Sequence, residues 1–295
     1  MTIRIATVGT AHWARAVHTS GLQAAPGFHL VGVWGRDQGK TQELARDRGV
    51  EAFASFEAML AAVDAVSFAV PPDIQEDLAL RAIHAGKHVL LEKPIATGAN
   101  AATRMAEAAE AAGIATIVFF TRRFIPEISA FVERHAGGRW RTAQAELYGA
   151  TFAPGSPYQG SRWRRTPGAG IWDIGPHALS MLVPLLGPVT TAHLLPPEGR
   201  FERFETLHEG GARATIRITL HADPAETCNA YRFDGPDGPV DAPDPAFDRL
   251  TTFAAAAAAL RDRIHGHTIA HPCDIRLGAE TTRILEQVYP WLQTP

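Results

Sequence analysis

The sequence predicts an α/β amino-terminal region built on a doubly wound parallel sheet, followed by an α+β domain with a mostly antiparallel, open sheet. Three observations point there. Short β-prone runs alternate with helix-like stretches from residue 3 to about 119, the pattern of βαβ units with right-handed crossovers. After Phe120 the alternation gives way to a run of strand-like segments, which reads as a second sheet. The apolar run His88–Leu91 enters Glu92-Lys93-Pro94, and a strand inside a sheet cannot pass through that proline.

Taken in order, 3–8 form a strand ending at Gly9, 12–24 a helix closed by Pro26-Gly27, and 28–34 a second strand. A helix over 38–48 ends at Gly49. A short strand at 51–53 and a short helix at 55–62 follow. Residues 64–70 are strand, stopped by Pro71-Pro72. Asp73 is the expected N-cap of a helix to Ala85, with Gly86 closing it. After the strand 88–91, Thr97 is expected to start a helix that ends near Gly113, before a strand at 116–119. The second region carries a helix at 126–135, then strand-like alternation at 141–151, 190–195, 201–208, 212–222 and 229–233. One helix, about 176–186, follows a Gly/Pro/Arg-rich loop at 153–170. Residues 234–245 read as turn and loop, and 246–264 and 273–289 as helices.

With 295 residues the chain suffices for two domains, divided as 1–120 and 121–295. A net charge of −3 gives no reason to expect nucleic acid or an anionic membrane as partner. Cys228 and Cys273 make neither a disulfide framework nor a metal-ligand spacing, so no metal is expected. No apolar run is long enough for a membrane span, and the start of the chain lacks the pattern of a signal peptide, so a cytoplasmic location is expected.

Gly9-Thr10-Ala11-His12-Trp13-Ala14 stands between the first strand and the first helix, where a dinucleotide fingerprint belongs. The first glycine permits the tight turn. The second position, here Ala11, normally lets the backbone approach a pyrophosphate, and the third needs a small residue. A helix start can offer its N–H groups to an anion; a tight turn without ligand is the plainer reading. At the end of the second strand, Gly35 occupies the place where an acid would bind the ribose of NAD, with Arg36 next. Glycine leaves room for a 2′-phosphate and arginine can pair with it, so NADP is expected, with NAD the alternative through Asp37.

Lys93 falls at the carboxyl end of a strand, where open α/β sheets place their ligands. It is a charged lip of the sheet or a working group. Asp173 and His177 are four apart, hence on one helix face if the helix runs through both. A carboxylate beside an imidazole suits a general base, and equally a satisfied structural pair.

Together these motifs resemble the Gfo/Idh/MocA oxidoreductases, the family of glucose–fructose oxidoreductase and inositol dehydrogenase. The resemblance rests on Gly9–Ala14, Val17-His18, Asp64–Pro72, Ala85–Pro94, Arg123-Phe124, Trp163-Arg164, Gly168–Gly170 and Asp173–His177. It implies a Rossmann domain holding a nicotinamide cofactor through Gly9, Ala11, His12, Trp13, Gly35, Arg36, Pro71, Glu92 and Lys93. It further implies that Lys93 binds the reacting oxygen, that His177 is the acid/base and that Asp173 supports or positions the substrate. Arg123, Tyr158, Arg162, Trp163 and Arg164 would contact a small sugar, cyclitol or polyol. A cis Lys93–Pro94 peptide and a homodimer or homotetramer through the open sheet also follow from it. Which of Lys93 and His177 moves the proton stays open, and the arginines of 122–165 leave room for an acidic substrate. Ala11, Gln75, Ser180 and Pro184 depart from the family pattern, and Pro184 should kink or end its helix. A redox-assisted glycosidase and a cofactor-binding regulator are the competing function classes.

Overall fold

The computed structural model describes residues 2–268 and 270–291. Contacts divide the chain into two compact units, Met1–Phe124 with Phe247–Ala279, and Ile125–Ala246 with Glu280–Pro295. The contiguous division at 120/121 lacks the return of 247–279 to the first unit.

The first unit begins with β1 (Ile3–Val8). A π-helical stretch, Ala14–Thr19, runs into α1 (Ser20–Ala24). Then come β2 (Phe28–Trp34), α2 (Gln38–Arg48), β3 (Glu51–Ala52) and α3 (Phe56–Ala62). β4 (Ala65–Phe68), α4 (Pro72–His84), β5 (His88–Leu91), α5 (Ala99–Ala111) and β6 (Thr116–Val118) complete the array. Among the described residues the sheet has six parallel strands in the order β3-β2-β1-β4-β5-β6. The order reverses between β1 and β4, which opens a crevice at their carboxyl ends. β4 and β5 are buried on both faces, as an apolar run in a covered parallel sheet should be.

In this first unit the starts of α4 and α5 differ from the sequence reading. Pro71 takes the N-cap position of α4 and Pro72 the first turn, because fixed φ suits a helix start, so Asp73 lies inside. Thr97 stops short of α5: its N–H and hydroxyl both donate to Glu76 Oε2, at 2.9 and 2.8 Å, and Gly98 is the N-cap.

In the second unit α6 (Pro126–His135) precedes β7 (Thr142–Tyr148). α7 (Ala169–Leu186) is followed by β8 (Val189–Glu198), β9 (Phe201–His208), β10 (Arg213–Thr219), β11 (Cys228–Gly235) and β12 (Gly238–Asp241). Their order is β12-β11-β7-β10-β9-β8, antiparallel except for the β10–β7 pair. Ala143, Ala145 and Leu147 are buried while Thr142 and Gln144 face out, the alternation of a sheet covered on one side. β12 lies where turn was expected. It is an edge strand, and an edge tolerates Pro239.

α7 begins at Ala169, seven residues before the expected start. It contains both Pro176 and Pro184 and ends at Leu186. α8 (Arg249–Ile264) returns to the first unit and buries Phe253, Ala256, Ala257 and Leu260. A Cβ on Gly21 would lie 2.3 Å from the Phe253 ring, so only glycine admits this approach. The chain crosses between the units inside α9 (Ile275–Val288).

Candidate active site

The crevice of the first unit opens at Gly9. Its φ is 121°, a backbone state that favours glycine, and a Cβ there would lie 2.4 Å from the Ala69 carbonyl oxygen. β1 and β4 thus close tightly where the chain turns into its first helix. That helix opens as a π-helix, with wider turns than an α-helix. Thr19 Oγ1 donates to the Ala14 and Arg15 carbonyls, Ser20 Oγ to Arg15, and the Arg48 guanidinium bonds both Arg15 O and Thr19 Oγ1. The fit to a dinucleotide is favourable: the tight glycine turn is present, and Ala11 and His12 are exposed beside it.

At the end of β2, a Cβ on Gly35 would meet Thr10 Cγ2 at 2.8 Å. No acidic side chain fits there without displacement. Asp37 is taken up as the N-cap of α2: it accepts the Lys40 N–H at 3.1 Å, which holds its carboxyl below the usual range. A cleft of about 490 Å³ opens beside Trp34, Gly35 and Arg36, walled by Ser55, Phe56 and Arg81. Glu57 also lines the cleft and pairs with Arg81.

At the end of β5, Lys93 is half-buried and the Lys93–Pro94 peptide is cis. The backbone on either side of it is held by one residue. Gln75 of α4, fully buried, donates through Nε2 to the carbonyls of Glu92 (2.7 Å), Pro94 (3.2 Å) and Ile95 (3.2 Å). Its Oε1 accepts the Glu92 N–H at 2.9 Å. The Glu92 side chain turns to the glycine loop: Oε1 accepts Trp13 Nε1–H at 2.7 Å and lies 3.1 Å from His18 Nε2. His18 Nδ1 is 2.8 Å from Ser67 Oγ on β4. The first helix, β4 and the Lys93 loop are therefore tied by one buried chain of hydrogen bonds.

In the second unit, Asp173 and His177 lie one turn apart on α7, on one face. Asp173 is gripped by Arg164, whose Nε and Nη2 donate to its two oxygens at 2.6 and 3.2 Å. The side chains are 11% and 19% exposed, so the pair is largely removed from water. The guanidinium also stands 4.3 Å over the Trp163 ring and 4.7 Å over Tyr158. This gives Arg164 a structural partner and places Tyr158, Trp163, Arg164 and Asp173 in one cluster. Ser180 Oγ and Tyr231 Oη donate to the His177 carbonyl at 2.8 and 3.3 Å, fixing the helix at the histidine. Arg162 is exposed beside the cluster in sequence, whereas Arg123 belongs to the first unit, buried near His271 and Cys273.

His18, Ser67 and Gln75 were not among the expected site residues. Gln75 was noted only as a departure from a family pattern, and partners 17 to 20 residues away leave no local signal.

A parallel sheet in this strand order, with a glycine turn at its switch point, is the architecture of a Rossmann-type domain. Residues 3–120 match the family described as GFO_IDH_MocA, oxidoreductase family, NAD-binding Rossmann fold. Galactose 1-dehydrogenase from Pseudomonas fluorescens is 33% identical over 188 residues, which are 62% of this chain and 57% of that protein. D-xylose 1-dehydrogenase (NADP(+)) 2 from Haloferax volcanii is 28% identical over 75% of this chain and 69% of its own length. The chain spans a little over half the length of several curated relatives that it matches. Among solved structures, the WlbA dehydrogenase from Bordetella pertussis, in complex with NADH and UDP-GlcNAcA, has a TM-score of 0.79. It is 21% identical, with 98% of this chain and 94% of that one covered.

Proposed function

We propose that the protein is an NADP-preferring dehydrogenase or reductase acting on a CH–OH or C=O carbon of a sugar, cyclitol or related polyol. The observation that carries this reading is the buried link from Trp13 in the glycine loop through Glu92 to Lys93. It ties the loop suited to a pyrophosphate to a lysine at the carboxyl edge of the same sheet.

Gly9, Ala11 and His12 would hold the dinucleotide, with Arg36 at its ribose phosphate. Glu92 would act through the backbone, since its Oε1 is taken up by Trp13 and His18. When bound, the nicotinamide accepts or supplies the hydride. Lys93 would bind the reacting oxygen and stabilise negative charge developing on it. In the oxidation direction His177 would act as the acid/base, with Asp173 supporting or positioning the substrate. The aldose dehydrogenases among the relatives and the arginine beside Gly35 support the sugar class and the NADP preference.

The test is a fluorescence screen for NADP and NAD reduction with D-xylose, D-galactose and myo-inositol, on the wild type and on Lys93→Met. Reduction by wild type alone is expected; equal turnover by both would remove Lys93 from the chemistry. We also propose a homo-oligomer through the open face of the second sheet, which light scattering in solution would check.

A further inference from the structure

The helix that carries Asp173 and His177 begins without a cap of its own. Its N-cap position is Gly168, φ 78°, with no side chain to accept the first N–H groups. Helix starts leave such donors to be satisfied from elsewhere. What faces this helix start comes from β9: the Glu202 carboxylate lies against the first turn of α7, beside Gly170.

The sheet places it there. Glu202 is paired with Ile218 of β10, and Phe204, two residues on, is fully buried. Residues two apart on a strand share a face, so Glu202 stands on the side that α7 covers. Gly170 admits it: a Cβ there would lie 1.9 Å from Glu202 Oε2. Burial pushes the Glu202 carboxyl above the usual range.

A serine at the N-cap would accept from such donors locally. What a strand-borne carboxyl group adds is a contact between helix and sheet, at the turn from which Asp173 and His177 project.

We propose that Glu202 is a positioning residue: docked into the start of α7, it fixes the rotation and height of the helix and thereby the orientation of Asp173 and His177. Its catalytic meaning rests on the roles proposed for those two residues.

The test is histidine-selective carbon-13 labelling with NMR titration of the His177 ring, assigned by His177→Gln. It is run in wild type, Glu202→Gln, Glu202→Ala, Gly170→Ala and the Glu202→Ala/Gly170→Ala double variant. In Glu202→Ala and Gly170→Ala the His177 midpoint should move by about half a pH unit or more. Glu202→Gln keeps one acceptor oxygen and nearly the same volume, and should fall between. The double variant should match Glu202→Ala alone, because both changes break one contact. NADPH binding should be unchanged, and kcat with D-xylose or D-galactose should fall about tenfold.

If wild type turns over neither sugar while the His177 signal still moves, the sugar reading fails and the positioning role stands. If the His177 titration in Glu202→Ala and Glu202→Gln superimposes on wild type and only the unfolding temperature changes, Glu202 is a structural cap and the proposal is overturned.

Discussion

Around Lys93 the chain is held mainly by an amide and aromatic ring N–H groups: Gln75 on the backbone, Trp13 and His18 on Glu92. Around Asp173 it is held by ionisable side chains, Arg164 on the carboxylate and Glu202 against the first turn of the helix. The contrast shows two ways of holding a polar segment: through its backbone around Lys93, and through an ion pair at Asp173, where one carboxylate accepts two hydrogen bonds at once.

The comparison can be broken most severely at Lys93. Lys93→Met should lower turnover of an accepted sugar by about 10²–10⁴-fold, with NADPH affinity retained, as steady-state kinetics and a binding titration would show. Arg164→Met should follow. It leaves Asp173 partly buried without its main partner, and about 3 kcal/mol of stability should be lost, the lower end for a pair with some water access. Urea unfolding reads this directly. If Arg164→Met leaves the urea midpoint unchanged, charge is not what holds this cluster. Gln75→Leu should cost about 2 kcal/mol through stranded carbonyls, and should lower kcat while leaving the His177 NMR titration where it is.

The smallest effect is one of pH, with one histidine from each unit. Burial pushes His88 and His208 below the usual imidazole range. His88 Nδ1 accepts the Ala115 N–H at 2.9 Å, a bond that protonation at that nitrogen would abolish. The unfolded chain takes up these protons near about pH 6.5 and the folded one only below that. Stability is therefore fully present above that range and declines as pH falls through it. The urea midpoint should drop between about pH 7.5 and about pH 5.5, and His88→Gln should flatten that slope.

The sequence was most informative where structure is local. The ends of β2 and α2 coincide with Trp34 and with Gly49, because an apolar run and a left-handed glycine are both written in adjacent residues. Lys93 at a strand end was legible from Pro94. The start of α7 was not, because Gly168–Gly170 and Pro176 mimic a loop and Glu202 reaches this turn only from a distant strand. The π-helical turn carries no periodic signal in six residues. Gln75, His18 and Ser67 became site residues only through contacts between separate elements.

The central claim is that the first unit binds a nicotinamide dinucleotide and reads its ribose phosphate with Arg36. The direct measurement is parallel equilibrium titration of the wild type and Arg36→Ala with NADPH and NADH. NADPH should bind the wild type more tightly than NADH, and Arg36→Ala should weaken NADPH by about 10–100-fold while leaving NADH nearly unchanged. Tighter binding of NADH by the wild type, or binding of neither dinucleotide, would contradict the account.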